Sequence, residues 1–106
     1  MEQKPIIADS DTGEKPKLIE ILQSRGRLKI LLILMRTGQL NITKIAQQAH
    51  LSHKTTEAYL EILKKGGIVE EKRYGRIRLY RFMGEVKKVK AIKDLFDLWE
   101  KSDGAL

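Results

Sequence analysis

The 106-residue sequence predicts an α+β fold that is mostly helical: several short amphipathic helices, one two-stranded β-hairpin and a closing amphipathic helix. Three observations carry this reading. Apolar residues recur at spacings of three and four in successive stretches, most of them opened by a residue that caps helices well. A single stretch, Ile68 to Phe82, alternates apolar and polar residues on both sides of Tyr74-Gly75, which is the pattern of a hairpin. The chain is short enough for one core only, and its lack of cysteine excludes disulfide scaffolds, iron–sulfur clusters, thiolate zinc sites and cysteine nucleophiles.

Taken in order, residues 1–15 have almost no apolar periodicity and contain the cluster Asp9-Ser10-Asp11-Thr12-Gly13, so they read as a flexible tail. Residues 16–83 read as the folded domain and 84–103 as a carboxyl-terminal helix. Pro16 suits a first helical turn, and Leu18, Ile19, Ile21 and Leu22 form a short amphipathic segment. Ser24 caps a second helix, Arg25 to Arg36, whose apolar residues Leu28, Leu31, Leu34 and Met35 are joined by Ile30, Leu32 and Ile33. A helix apolar nearly all round must be covered on both sides. Gly38 suits its carboxyl end. Asn41 caps a third helix with Ile42, Ile45, Ala46 and Ala49 inward; after a break at His50-Leu51, Ser52 caps a fourth, His53 to Lys65, with Thr56, Leu60 and Leu63 inward. Gly66-Gly67 stops it, the hairpin follows, and Val86, Val89, Ile92, Phe96 and Trp99 form the apolar stripe of a last helix from about Glu85 to Lys101.

The net charge of +7 is unevenly placed: residues 1–24 carry −2 and the remainder +9. Such a basic domain attracts a polyanion, most often nucleic acid. The longest apolar run, Ile30 to Met35, is six residues, far short of the roughly 20 needed to span a membrane. With no signal pattern at the amino terminus, the expectation is an intracellular, cytoplasmic protein associated with the nucleoid. Catalysis has little support. His50 and His53 are the only histidines, without a carboxylate pair of metal-ligand type, and there is no phosphate-binding glycine loop or nucleophile elbow. No metal, cofactor or small-molecule substrate is expected.

Helix, short helix, tight turn, capped helix and basic hairpin, in this order, is the layout of a winged helix-turn-helix. Residues 27–82 resemble the DNA-binding domain of the arsenic-repressor-like winged-helix regulators. RLKILLIL stands as the first core helix, ITKIAQQAHLSHKTTEAYLEIL as the helix-turn-helix, GGIV as the lead into the wing and GRIRLYRF as its return strand. The stretch TKIAQQAHLSHKTTEAYLEILKKGGI is similar to a group of small archaeal winged-helix proteins. The resemblance implies binding to duplex DNA, as a transcriptional regulator or a chromatin-associated protein, and dimerisation through a carboxyl-terminal helix. The Cys or clustered His and acidic ligands of metal-sensing members do not occur here. The last helix, at roughly 25 Å, is shorter than the coiled-coil helix of the archaeal dimers.

The candidate contacts follow from which residues escape the core. On the fourth helix the outward face presents Ser52, His53, Lys54, Thr55, Glu57 and Ala58 to a major groove. Ser52 serves as a cap, a phosphate contact or both, Lys54 suits a phosphate or guanine, and His53 a base edge. Glu57 either accepts from a cytosine amine or offsets the helix dipole and pairs with His53 or Lys54. The hairpin carries five basic residues in ten, with no acid between Lys72 and Arg81. Its candidates Lys72, Arg73, Tyr74, Arg76 and Arg78 would track phosphates or enter a minor groove. Tyr80 and Phe82 read as core, which speaks against single-strand or RNA binding by stacking. Val86, Val89, Ile92, Phe96 and Trp99 either pack on Leu18, Ile19 and Leu22 of the same chain or pair with a second copy. The expectation is a homodimer, with two recognition helices about one DNA turn apart. A sequence-tolerant chromatin protein and a protein-interaction module remain the alternatives to a sequence-specific regulator.

Overall fold

The computed structural model describes residues 15–104, so the tail expected over residues 1–15 lies almost wholly outside the described residues. Among these residues five helices and three strands follow in the order α1 (Leu18–Leu22), α2 (Arg25–Thr37), β1 (Gln39–Asn41), α3 (Ile42–Ala49), α4 (His53–Lys65), β2 (Val69–Tyr74), β3 (Ile77–Phe82) and α5 (Lys87–Asp103). Three of the caps form as their side chains dictate. Ser24 Oγ accepts from Arg27 N, Asn41 Oδ1 from Lys44 N and Ser52 Oγ from Thr55 N, each satisfying one of the amides orphaned at a helix start.

The core is the shared inward face of α2, α3 and α4 closed by the sheet. Ile30, Leu31, Leu34, Ile45, Ala49, Leu60, Leu63, Val69, Tyr80 and Val89 are buried in it. The apolar breadth of α2 is thereby explained. Leu28, Leu32 and Ile33 are half-buried against the edge of the same core. Gly26 permits the crossing of α2 and α4, because a Cβ there would collide with the ring of Tyr59.

The turn between α3 and α4 is made without glycine. His50 adopts the left-handed conformation at φ 57°, its amide bonding to Gln47 O while Leu51 N bonds to Ala46 O. Histidine is among the residues that tolerate this region, and its side chain stays exposed.

The sheet differs from expectation. The wing was expected to be two-stranded, but the sheet has three antiparallel strands in the order β1-β3-β2, because Gln39, Leu40 and Asn41 pair with Arg81, Tyr80 and Leu79. Gly38, at φ 80°, turns the chain out of α2 into this register, and its carbonyl accepts from Phe82 N. Three residues between a helix stop and a helix cap are too few to show an alternation. The pairing partner, some forty residues downstream, supplies the strand. The return strand β3 therefore lies in the middle of the sheet, which buries Tyr80 and Phe82 as expected of core residues.

The last helix runs from Lys87 to Asp103, with Val86 as its N-cap and Gly104 in the left-handed region at its end. Its first half docks on the protomer's own core: Val89 is buried, and Val86, Ile92 and Phe96 are half-buried against the cluster. No helix among the described residues is long and apolar enough to cross a membrane.

Candidate nucleic-acid interface

The fourth helix presents its amino-terminal turn to solvent because Thr56, Leu60 and Leu63 anchor the opposite face. Ser52, His53, Lys54 and Ala58 are exposed, and Thr55 and Glu57 half-exposed. Ser52 performs the capping role, and its hydroxyl also donates to Thr55 Oγ1 at 2.9 Å. Thr56 is held inward by a bond from its hydroxyl to Ser52 O at 2.8 Å.

Across the hairpin, the expected basic side chains divide into two groups. Lys72, Arg73, Tyr74 and Arg76 are exposed around the tip, where Gly75 at φ 61° makes the turn. Arg78 points the other way. Its Nη1 donates to Glu57 Oε2 at 2.6 Å, its Nε to Glu71 Oε2 at 3.1 Å and its Nη2 to the Tyr80 hydroxyl at 2.6 Å. Arg81 is likewise engaged, by Glu70 at 2.9 Å and by both oxygens of Glu85. The run of five cations without an acid is therefore partly neutralised, because β2 lays Glu70 and Glu71 against β3. Arg73 keeps its guanidinium exposed while its Nε donates to Glu71 Oε2, Lys72 lies 3.8 Å from Glu70, and Arg76 stands at the tip in solvent.

Glu57 takes neither of the partners considered from the sequence. Its carboxylate is held below the usual range first by the hydrogen bond from Arg78 and then by the charge of that guanidinium. Glu71 and Lys64 were not singled out by the sequence, yet they join this network. Glu71 is lowered to about 2, chiefly by the hydrogen bond from Lys64, with further bonds from Arg73 and Arg78. Lys64 is raised by Glu61 and by Glu71. A register-aware pairing of the hairpin strands would have placed Glu71 beside Arg78, and that is the signal that could have found it. A cleft of about 330 Å³ between α3 and the wing, lined by Lys44, Gln47, Arg76 and Arg78 among others, continues the basic surface past the helix-turn-helix.

A second exposed surface is apolar. Leu95, Leu98 and Trp99 on the distal half of α5 are 55, 63 and 53% exposed, and Leu18 and Ile19 of α1 are exposed as well. Leu95, Phe96 and Trp99 line an apolar groove of about 670 Å³ with Leu28 and Leu32 of α2. Of the five residues expected to pair with a second copy, only Trp99 is exposed; Leu95 and Leu98, not singled out from the sequence, accompany it. No group of three or more His, Cys, Asp or Glu that could hold a metal occurs among the described residues.

A capped helix-turn-helix joined by ion pairs to a basic hairpin defines a winged helix-turn-helix DNA-binding protein. The fold is matched by the antimony-specific transcriptional repressor AntR, with a TM-score of 0.69 at 24% identity over 99% of this chain and 94% of that one. It is also matched by the homodimeric winged helix-turn-helix DNA-binding domain Mb0332 from Mycobacterium bovis, with a TM-score of 0.66 at 31% identity over 81% and 79% of the two chains. The cadmium resistance transcriptional regulatory protein CadC of Listeria innocua is 32% identical over 84 residues, 79% of this chain and 70% of that protein, and CadC of Lactococcus lactis is equally similar. Residues 24–71 match the family model of bacterial regulatory proteins of the arsR family. The chain belongs to the arsR family and is a DNA-binding transcriptional regulator. These relatives are bacterial and give no support to the archaeal kinship expected from the helix-turn-helix stretch. Helix spacing and caps in that stretch encode the fold and carry no mark of the lineage.

Proposed function

We propose that the chain acts as a homodimeric, sequence-specific regulator that places α4 in the major groove of duplex DNA and its wing on the backbone or in the minor groove. Residues 16–83 form the reading unit and 84–103 the dimerising helix. The observation that carries this is the 2.6 Å bond between Glu57 of α4 and Arg78 of the wing, which joins the exposed turn Ser52-His53-Lys54 to the exposed tip at Arg76. In this arrangement His53 and Lys54 meet base edges, while Ser52 and the free amides beside it meet a phosphate. Lys72, Arg73 and Arg76 meet phosphates or enter the minor groove, where guanidinium is favoured. Dimerisation through Leu95, Leu98 and Trp99 buries the large exposed apolar side chains of α5 and doubles the contacts of a module too small to bind tightly alone.

Fluorescence anisotropy of a random-sequence duplex of 20–30 base pairs, repeated over a salt series, tests the reading. Binding is expected to weaken log-linearly with salt, and Arg76→Ala is expected to lower the slope by about 1 for each wing in contact. No binding near physiological salt would refute duplex DNA as the partner. Selection from a random pool then separates a sequence-specific regulator from a sequence-tolerant chromatin protein.

A further inference from the structure

In the antiparallel register Arg73 lies directly opposite Arg78. Like charges in that position push a hairpin apart, and here they stand close to the turn that carries the wing tip. Glu71 lies on the same face of β2, two residues before Arg73. Its Oε2 accepts from Arg73 Nε at 2.8 Å and from Arg78 Nε at 3.1 Å, while its Oε1 accepts from Lys64 Nζ at 2.8 Å. Lys64 belongs to the last turn of α4. Arg78 returns to the same helix one turn from its start, through Glu57. One carboxylate and one guanidinium thus brace the wing against α4 at two points seven residues apart, roughly 10 Å along the helix axis. The Glu71 side chain is 9% exposed and that of Arg78 18%, so salt screens the pair at the centre of this brace less than a surface pair. The planar fork of arginine adds directionality that a lysine would lack.

We propose that Glu71 is a positioning residue for DNA recognition: by clamping Arg73 and Arg78 to Lys64 it holds the wing tip at a fixed angle and distance from α4. This rests on the duplex-DNA reading above. Phosphate contacts set register and base contacts set sequence, so discrimination requires Arg76 and the start of α4 to engage together. A wing freed from Glu71 still finds phosphates, since they lie everywhere along a duplex, but no longer in register with the helix. Losing Glu71 therefore costs discrimination, while the removal of an acid from a basic surface leaves non-specific attraction equal or stronger.

The test uses the full chain and two duplexes, one selected by the wild-type protein from a random pool and one with its sequence scrambled. Glu71→Gln keeps the shape and removes the charge. The ratio of selected to scrambled affinity is expected to fall by about tenfold, the scale of one mismatched base pair, with scrambled-duplex binding unchanged or tighter and a steeper salt slope. Amide exchange over residues 72–78 is expected to quicken in the free protein. Glu57→Gln, which frees the same guanidinium from its other end at an exposed position, is expected to act in the same direction. An unchanged ratio in both variants, or an unchanged exchange pattern in Glu71→Gln, would overturn the proposal. Failure of the wild-type chain to select any sequence would overturn the sequence-specific reading and this proposal with it, and that failure is visible before any variant is made.

Discussion

Two arginines two residues apart, Arg76 and Arg78, show how little residue type says about role. Arg76 stands exposed at the wing tip, whereas Arg78 spends its nitrogens on Glu57, Glu71 and Tyr80. Arg78→Ala leaves Glu71 with Lys64 and Arg73 but takes the arginine partner from the buried Tyr80 hydroxyl and from Glu57, and is expected to destabilise the fold by about 1–3 kcal/mol in urea titrations. Arg76→Ala is expected to stay within about 0.5 kcal/mol while lowering DNA affinity, a dissociation of stability from binding that the two melts and two isotherms would read together. Glu71 also sets a pH dependence. Its carboxyl falls from the ordinary 4.5 to about 2 on folding, first through the Lys64 hydrogen bond. A depressed carboxylate stabilises the fold fully above its unfolded value, and this contribution is lost as pH falls through the folded one. The urea midpoint of the wild type is therefore expected to drop between pH 4.5 and 2 by more than that of Glu71→Gln. Equal drops would remove Glu71 as the titrating group.

Elements were legible wherever local chemistry decides. The caps Ser24, Asn41 and Ser52 and the three-and-four spacings of α2, α3 and α4 mark these helices to within a residue or two. Strand β1 was not legible, because Gln39-Leu40-Asn41 becomes a strand only through the β3 residues opposite it. Helix crossing is similarly silent in sequence. Gly26 looks like a weak point in α2, yet its missing Cβ is what admits the Tyr59 ring, over which the Arg27 guanidinium sits 5.5 Å from the centroid. Gly26→Ala is expected to destabilise by about 1–2 kcal/mol through overpacking. In a Tyr59→Ala background the same change is expected to be neutral or to stabilise by up to about 1 kcal/mol, since alanine is the better helix former. Additive effects in that double-mutant cycle would show that the ring yields without cost.

At the scale of the molecule, two exposed surfaces differ in chemistry. The basic surface combines α4, the wing and the cleft beside α3, and the apolar surface combines the distal half of α5 with α2. Large exposed apolar side chains grouped in this way mark an association site. Leu98→Glu, which adds charge where no core contact is lost, is expected to leave the thermal melt of the protomer intact. It should shift sedimentation from dimer to monomer and weaken duplex binding by at least tenfold, as one half-site contact is lost. Dimeric sedimentation by Leu98→Glu would place the interface elsewhere.

By itself the sequence determined α2, α3 and α4 with their caps and buried faces, the hairpin and the basic character of Lys72 to Arg81, because each follows from spacing and local hydrogen bonding within a few residues. Tertiary structure alone decided which of those cations face outward. Glu57, Lys64 and Glu71 come from a helix and a neighbouring strand, and they meet Arg78 only when α4 packs on the sheet and β2 takes its register against β3. It likewise divided α5, burying Val89 in the core and leaving Leu95, Leu98 and Trp99 uncovered, since one amphipathic helix carries the same spacing whether its stripe meets its own core or another molecule. Charge and periodicity are local properties of a chain; whether a charge is neutralised or an apolar face covered depends on what the fold brings opposite it.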